Sequence, residues 1–503
     1  VPIINSIVNW LNIKRIYNIE LFKKYPFNVQ KETFNKLISR SEDTEWGKMY
    51  NYNEDLSIEE YQNKVPLQTY DDIKPWVERL KAGEQNLLWP SEIKWFAKSS
   101  GTTSDKSKFI PVSNESLEDC HFRGGKDVLA IYSNNYPNAG ILKGKSLTLG
   151  GSHQINNFSN QSYYGDLSAI LIENLPFWVT FIKTPSNDIA LLSEWEEKLE
   201  KITKHTINEN VKIIAGVPSW MLVLLNYILD FTGKNNILEV WPNLELFTHG
   251  GVSFNPYRKS FQKLIPSPDM HYMETYNASE GFFGIQDDPE KDDMLLMLDY
   301  GVFYEFIPTE NINDPNPPVF TVKDVEINKN YAVVISTNSG LWRYIIGDTI
   351  FFTSLFPHKF KISGRTKHFM NAFGEEIIID NAEKALMIAS EKTGAIINEF
   401  TAAPVYMSGK SKGTHEWLIE FEKNPENLDK FSDSLDNALK SVNSDYEAKR
   451  YKDFTLIAPI VRSIPKGTFY KWFELKGKLG GQNKMPRLSN DRKYVEEILK
   501  LMS

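Results

Sequence analysis

The sequence predicts an α/β protein, with a large N-terminal domain of β-sheets flanked by helices and a small, mobile α+β domain at its C-terminal end. Three observations lead there. Short apolar runs alternate with helix-like segments over most of the chain. A length of 503 residues is too great for one ordinary core. A Gly-Arg step at 364–365 follows a short apolar run and opens a final stretch with helix and strand signals of its own.

Taken in order, residues 4–37 carry Trp10, Leu11, Ile16, Leu21, Phe22 and Phe34 at roughly helical spacing, which predicts leading helices that cover a core formed later. Apolar runs at 146–149, 211–214 and 244–247 are separated by helix-like segments such as 191–205, and this alternation implies largely parallel strands. The longest apolar stretch, 211–229, contains Lys212 and is interrupted by Gly216-Val217-Pro218. It predicts a strand, a turn and a buried helix rather than a membrane span. Residues 294–307 and 331–335 read as strands flanking the Asn-, Asp- and Pro-rich loop 308–318, a hairpin-like excursion. The boundary falls at 364–369, after the run 360–362, and divides residues 1–363 from residues 370–503. The latter have a helix at 381–392, strands around 417–421 and a basic end at 466–487.

Composition narrows the function. The formal net charge of -8 argues against a nucleic-acid partner, which calls for clustered Lys and Arg. Cys120 is the single cysteine, so neither an intrachain disulfide nor a multi-cysteine metal site is available, and a reducing cytoplasm is the expected setting. The start, Val1-Pro2-Ile3, does not read as a signal peptide. No internal repeat is evident.

Four motifs carry chemistry. Lys98-Ser99-Ser100-Gly101-Thr102-Thr103-Ser104-Asp105-Lys106-Ser107-Lys108 combines hydroxyl donors, a glycine that permits tight turning, consecutive N–H groups and lysines, a set suited to polyphosphate. An ordinary polar loop has the same composition. It is not a Walker loop, since Lys106 stands where G-x-x-x-x-G-K needs its second glycine. Tyr276-Asn277-Ala278-Ser279-Glu280 follows an apolar run at 270–275; a ring there can stack on a purine, Ser279 can bond a phosphate oxygen, and Glu280 can hold Mg²⁺. Upstream, Thr248-His249-Gly250-Gly251-Val252 allows backbone to approach a flat ligand. Trp342-Arg343-Tyr344-Ile345-Ile346-Gly347-Asp348 ends a strand in a carboxylate able to accept two hydrogen bonds from a ribose diol. Each motif alone also fits a simple turn.

Their order, followed by Gly364-Arg365 and a basic C-terminal end, resembles the adenylate-forming superfamily of acyl-CoA synthetases, firefly luciferase and nonribosomal-peptide adenylation domains. Within it, the chain is most similar to the auxin-responsive Gretchen Hagen family of acyl acid amido synthetases, including its prokaryotic members. The resemblance spans about Trp95 to Arg487. It rests on 99–103 with Lys106 and Lys108, on 276–280 followed by Gly281-Phe282-Phe283-Gly284, and on 344–348.

The resemblance implies an adenylate-forming ligase fold of mixed sheets. Tyr276 would stack on adenine, Gly250 and Gly251 would line the adenine slot, Asp348 and Arg365 would hold the ribose, and Glu280 would hold Mg²⁺. The hinge would lie at Lys367, where the following His368 departs from the acidic or small residue common in the family. The mobile catalytic lysine would be Lys484, in Gly481-Gln482-Asn483-Lys484-Met485-Pro486-Arg487, with Lys466 as second choice. For the acyl pocket, Arg123 could pair with a substrate carboxylate and Phe177, Trp178 and Trp220 could wall an apolar slot; structural roles also fit all four.

The implied reaction consumes ATP and a carboxylic acid, forms an acyl-AMP with loss of pyrophosphate, and transfers the acyl group to an amine, by resemblance an amino acid. Two alternatives stay open: transfer to coenzyme A, and nucleotide binding without catalysis.

Overall fold

The structure is a computed structural model. It describes residues 2–100, 107–150, 155–159, 162–192, 194–252, 254–255, 257–312, 314–365, 369–407, 411–453, 455–476 and 485–502, with backbone alone at 2–12, 100, 142, 159, 177, 178, 195, 365 and 380.

Two helices open the chain, α1 (Pro2–Lys24) and α2 (Pro26–Ser41). Pro26 separates them because it supplies no N–H to continue α1 but suits the first turn of α2. Of the residues at helical spacing, Phe22 and Phe34 are buried in the main core and Ile16 packs against it, whereas Leu21 is exposed and the Trp10 and Leu11 side chains lie outside the described residues; Leu37 and Ile38 of α2 join the core. Gln30 fixes the packing: its amide donates to the Leu298 and Val302 carbonyls, and its oxygen accepts from the Tyr304 N–H.

A hairpin follows, β1 (Trp95–Ser100) and β2 (Ser107–Val112), then helix α3 (Arg123–Asn135) and strand β3 (Lys145–Thr148). Strands β4 (Asn156–Ser159) and β5 (Ser162–Gly165) join the hairpin in a sheet of order β2-β1-β5-β4. The chain then runs through α4 (Leu167–Glu173), β6 (Lys183–Thr184), α5 (Trp195–Thr206), β7 (Val211–Gly216), α6 (Pro218–Thr232), β8 (Leu246–His249) and α7 (Arg258–Leu264). The 211–229 stretch is thus strand, turn and buried helix, closed by Gly233 in the left-handed region (φ +66°). No helix among the described residues is long and apolar enough to cross a membrane.

Next come β9 (His271–Ala278), β10 (Gly281–Ile285), β11 (Met294–Leu296), β12 (Val302–Pro308), β13 (Asn330–Thr337), β14 (Tyr344–Leu355) and β15 (His358–Arg365). The central sheet has order β12-β13-β14-β15-β11-β10-β9-β8-β7-β3-β6. The pairs from β9 through β8, β7 and β3 to β6 are parallel, each needing a crossover. From β9 to β12 every pair is antiparallel. The mixed sheet implied by the resemblance is what forms, while the alternation argument for largely parallel strands holds only for one half. In the other half short turns replace helices: Ser279 and Glu280 alone join β9 to β10. The run 294–307, read as one strand, is two, because Gly301 (φ +69°) turns the chain between them, where any Cβ would stand 2.4 Å from the Asn338 amide nitrogen. The excursion between β12 and β13 is a hairpin connection, as expected.

The last part has a two-stranded pair, β16 (Phe369–Met370) with β17 (Ile377–Ile378), and a sheet of β18 (Ile396–Val405), β19 (Thr414–Lys423) and β20 (Ile460–Ile464). Helices α8 (Ile379–Thr393), α9 (Leu428–Val442), α10 (Ser444–Lys449), α11 (Thr468–Leu475) and α12 (Lys493–Lys500) accompany them. Met370, Ala372, Phe373 and Ile377 enter the same apolar cluster as Leu222 and Leu225 of α6. Three bonds among the described residues tie that turn to the α/β part: the Tyr257 hydroxyl donates to the Ala372 carbonyl at 2.6 Å, Ser219 Oγ donates to the Phe373 carbonyl at 3.3 Å, and the Asn371 amide donates to the Gly251 carbonyl at 3.2 Å.

Candidate active site

A cavity of about 1000 Å³ opens at the C-terminal ends of the parallel strands, where β9 turns the sheet from parallel to antiparallel. Ligands of α/β proteins gather at such edges, because strand ends and loops diverge there and leave a crevice.

Five sequence-distant segments meet on its wall. Lys98 and Ser99 come from the end of β1 and Lys108 from β2. Ser100 pairs with Ser107 across the hairpin; the Ser100 side chain and Gly101, Thr102, Thr103 and Lys106 lie outside the described residues. Gly250 and Gly251 follow β8. At Gly250 a Cβ would stand 2.3 Å from the Thr275 carbonyl, so only glycine allows this approach of the β8 end to β9; Gly251 adopts φ +81°.

Tyr276 on β9 and Asp348 on β14 are 72 residues apart in sequence, yet the tyrosine hydroxyl donates to the aspartate carboxylate. Both are nearly buried. The bond leaves the Tyr276 ring held edge-on to Phe283 at 5.0 Å. Asp348 pairs in register with Arg365, whose side chain lies outside the described residues. Ser279 and the buried Glu280 form the turn after β9 and face the cavity. Among the described residues no group of three or more His, Cys, Asp or Glu side chains is placed to hold a metal ion alone.

The sequence reading missed His121. Its Nδ1 lies 2.9 Å from the Asn277 Oδ1, which accepts, so the proton sits on Nδ1 and Nε2 carries the lone pair. Burial holds this imidazole down to about 4, partly offset by the Asn277 bond, so it is neutral at pH 7. No motif signals it; it precedes α3 and reaches the wall only through packing. His249, at the end of β8, stacks on Phe254 at 4.1 Å, and burial followed by the Arg258 charge pushes it down to about 3. Its register partner Glu274 is pushed up to about 7 by burial and the Asp292 charge, against the pull of Arg258 and Lys361. Both face the cavity.

The C-terminal part closes the opening with Phe369, Asn371, Glu376, Tyr406, Lys449 and Asn490. Lys449 places its ammonium 4.5 Å from the Trp220 ring centre, so Trp220 is on the wall, as anticipated, but paired with a cation from α10. Helix α10 also meets the β1–β2 hairpin, Ser444 Oγ lying 3.1 Å from Ser107 Oγ.

Arg123 is not brought to this cavity. Its guanidinium donates to Asp119 at 2.8 Å and to the Asp299 carbonyl at 3.0 Å, lining a separate cleft of about 570 Å³. One helical turn separates Asp119 from Arg123, so the local carboxylate captures the guanidinium. Lys466 is exposed and ion-paired with Glu422, away from the wall. Lys367, Lys484 and the Phe177 and Trp178 side chains lie outside the described residues.

Comparison with known proteins gives three matches to one family: the GH3 family N-terminal domain at residues 15–270, its central domain at 295–365 and its C-terminal domain at 380–493. Among curated proteins, the chain is 24% identical to indole-3-acetic acid-amido synthetase GH3.3 of Arabidopsis thaliana, over 95% of this chain and 91% of that one. It is 23% identical to jasmonoyl-L-amino acid synthetase JAR4 of Nicotiana attenuata, over 91% and 89%. Among solved structures, AtGH3.15 acyl acid amido synthetase in complex with 2,4-DB superposes with a TM-score of 0.63 at 17% identity, covering 98% of this chain and 96% of that one. A 2-hydroxyisobutyryl-CoA ligase in complex with 2-HIB-AMP and CoA gives a TM-score of 0.55 at 12% identity, covering 94% and 91%. These two share the fold.

Proposed function

The chain belongs to the GH3 family, and on that premise we propose that it is a ligase that activates a carboxylic acid with ATP and joins it to an amino acid. The observation that carries this reading is the convergence of Ser99, Gly250, Gly251, Tyr276, Glu280 and Asp348 on one cavity wall.

In the first half-reaction a carboxylate oxygen of the acid attacks the α-phosphorus of ATP, the bond to the β-phosphate oxygen breaks, and pyrophosphate leaves. The protein must neutralise charge that develops on the transferring group, and positioned donors do this without reorganising during the reaction. Ser99, Ser100, Gly101, Thr102, Thr103, Lys106 and Lys108 grip the β- and γ-phosphates. Gly250 and Gly251 face the base, with Tyr276 as its stacking ring. Asp348, oriented by the Tyr276 hydroxyl, holds the ribose together with Arg365; Ser279 and Asn277 complete the wall.

Mg²⁺ fits the residues present as an ion shared with the phosphates, since it takes one or two carboxylates plus phosphate oxygens rather than an all-protein cage. Glu280 would hold it, and the ion would supply positive charge to the triphosphate. Lys484 is the mobile lysine and Lys367 the hinge about which residues 370–503 turn between half-reactions, with 364–369 as the connecting segment. In the second half-reaction the amine nitrogen attacks the acyl carbonyl, the bond to phosphate breaks, AMP leaves and the amine gives up its proton. Closure keeps water from the anhydride.

Exchange of labelled pyrophosphate into ATP, screened over aryl, indole and fatty acids, tests the first step; failure with every acid sinks the reading. AMP release is then compared with amino acids and with coenzyme A as acceptor, and strict dependence on coenzyme A replaces amide formation by thioester formation.

A further inference from the structure

The deep end of the cavity holds a cation that the reaction above does not use. Lys183, on the edge strand β6, is only 8% exposed yet reaches the cavity wall, next to its register partner Ser146. Its ammonium makes one hydrogen bond, to Asn187 Oδ1 at 2.7 Å, and no carboxylate pairs with it among the described residues. Asn187 is itself fixed by its donation to the Ile172 carbonyl. Close by, fully buried Lys198 donates to the Gly150 carbonyl and adds a second positive charge, answered in part by Asp166. Burial pushes Lys183 down to about 8, and burial with the Lys183 charge does the same to Lys198. A buried ammonium on one neutral acceptor is costly, and it leaves donors directed toward whatever fills the cavity.

The wall also carries an apolar set, Leu149, Leu171, Ile172, Leu175, Val179 and Ile182, beside the polar Thr148, Asp166 and Ser168. Such a set favours hydrocarbon, and the cation favours an anion. Distance decides which anion. Strand β6 lies four pairings from β9, along β9-β8-β7-β3-β6, which at about 4.8 Å each is about 19 Å across the sheet. The carboxyl being activated must lie near the Tyr276–Glu280 end, so it cannot also reach Lys183. The α-carboxylate of an amino acid sits about 2.5 Å from its amine, so it cannot either while that amine attacks.

We propose that Lys183 binds a second carboxylate, at the far end of the acid that is activated, making the preferred substrates long apolar dicarboxylic acids. The span corresponds to about fifteen carbons in an extended chain. This assignment rests on the adenylation reading above.

The test is pyrophosphate exchange by the full chain without any amine, using saturated mono- and dicarboxylic acids of eight to sixteen carbons. The expected result is at least a tenfold higher kcat/KM for the diacid than for the monoacid of equal length, peaking at one length. Lys183→Met should remove that preference while sparing the monoacid, and Lys183→Arg should keep most of it. Exchange with monoacids but no diacid preference overturns the dicarboxylate assignment alone, as does an equal loss for both in Lys183→Met. No exchange with any acid overturns the adenylation reading and this assignment with it. If Lys183→Met does not fold, the wild-type length series decides, a flat series overturning the proposal. A glutamate-over-glutamine preference in the complete reaction that Lys183→Met abolishes, with exchange unchanged, assigns Lys183 to the acceptor and overturns it too.

Discussion

Tyr276 and Lys183 are both less than a tenth exposed on the wall of one cavity, yet they are treated differently by the fold. Tyr276 places its hydroxyl on Asp348, and the neighbouring Asn277 is held by His121, so this end of the cavity has its polar groups fixed by other parts of the protein. Lys183 has, among the described residues, the Asn187 amide as its hydrogen-bond partner. A wall whose polar groups already have partners is preorganised and loses little on binding. A wall with a weakly partnered cation is less stable when empty and gains more when a complementary anion arrives. The difference implies two kinds of recognition in one cavity: the end proposed to take the nucleotide is prebuilt, and the end proposed to take the acid keeps an unmet demand.

Four measurements break or sharpen that contrast. Glu280→Gln should have the largest effect, lowering pyrophosphate exchange about a hundredfold or more for every acid alike; a loss confined to certain acids would show that the nucleotide end is not common to all substrates. Lys183→Met should act in the opposite sense on stability. The folded-state pKa of Lys183 is lowered from 10.5 to about 8, so the cost of burying its charge is fully present below about pH 8 and gone above about 10.5. The variant should therefore be more stable than the wild type by about 2 kcal/mol at pH 7, with the gap closing as the pH rises. Urea midpoints at pH 7 and 10 read this directly, and a variant less stable at pH 7 would mean that Lys183 is satisfied in the empty protein.

Tyr276→Phe removes a hydrogen bond to a charged group at the prebuilt end, worth about 1.5 kcal/mol. KM for ATP should rise about tenfold, with the ranking of acids unchanged; a changed ranking would merge the two ends. The smallest effect belongs to Arg123→Ala, since that side chain bonds Asp119 and lines a separate cleft. Its kcat/KM for any acid should stay within about twofold and its stability within about 1 kcal/mol, and a large rise in KM for the acid would place the acyl carboxyl in the other cleft.

Much of the fold was legible from local pattern. The 211–229 stretch announces β7 and α6 because Gly216-Val217-Pro218 can only be a turn followed by a helix start, and the leading helices follow from Phe22, Phe34 and Leu37 at helical spacing. The antiparallel half of the sheet was less legible, since apolar runs buried on both faces, such as β12, carry no mark of strand direction. At the site, glycines and carboxylates stood out because their chemistry is rare in short order. His121, Glu274 and Lys183 did not: a single histidine, glutamate or lysine looks alike in sequence whether it is solvated or buried in a wall.

The sequence by itself determined the motif order, the Gly250-Gly251 approach and the family, because each depends on residues adjacent in the chain or on their order along it. Only the tertiary structure decided that 95–112 fold as a hairpin, that Tyr276 meets Asp348, that Asp119 and Asp299 draw Arg123 away from the cavity, and that Lys183 lies buried on the cavity wall with, among the described residues, Asn187 as its hydrogen-bond partner. The physical reason is the same in each case. Burial and hydrogen-bond partnership depend on which distant segments the folded sheet and its crossings place side by side, and no local window of sequence contains both partners.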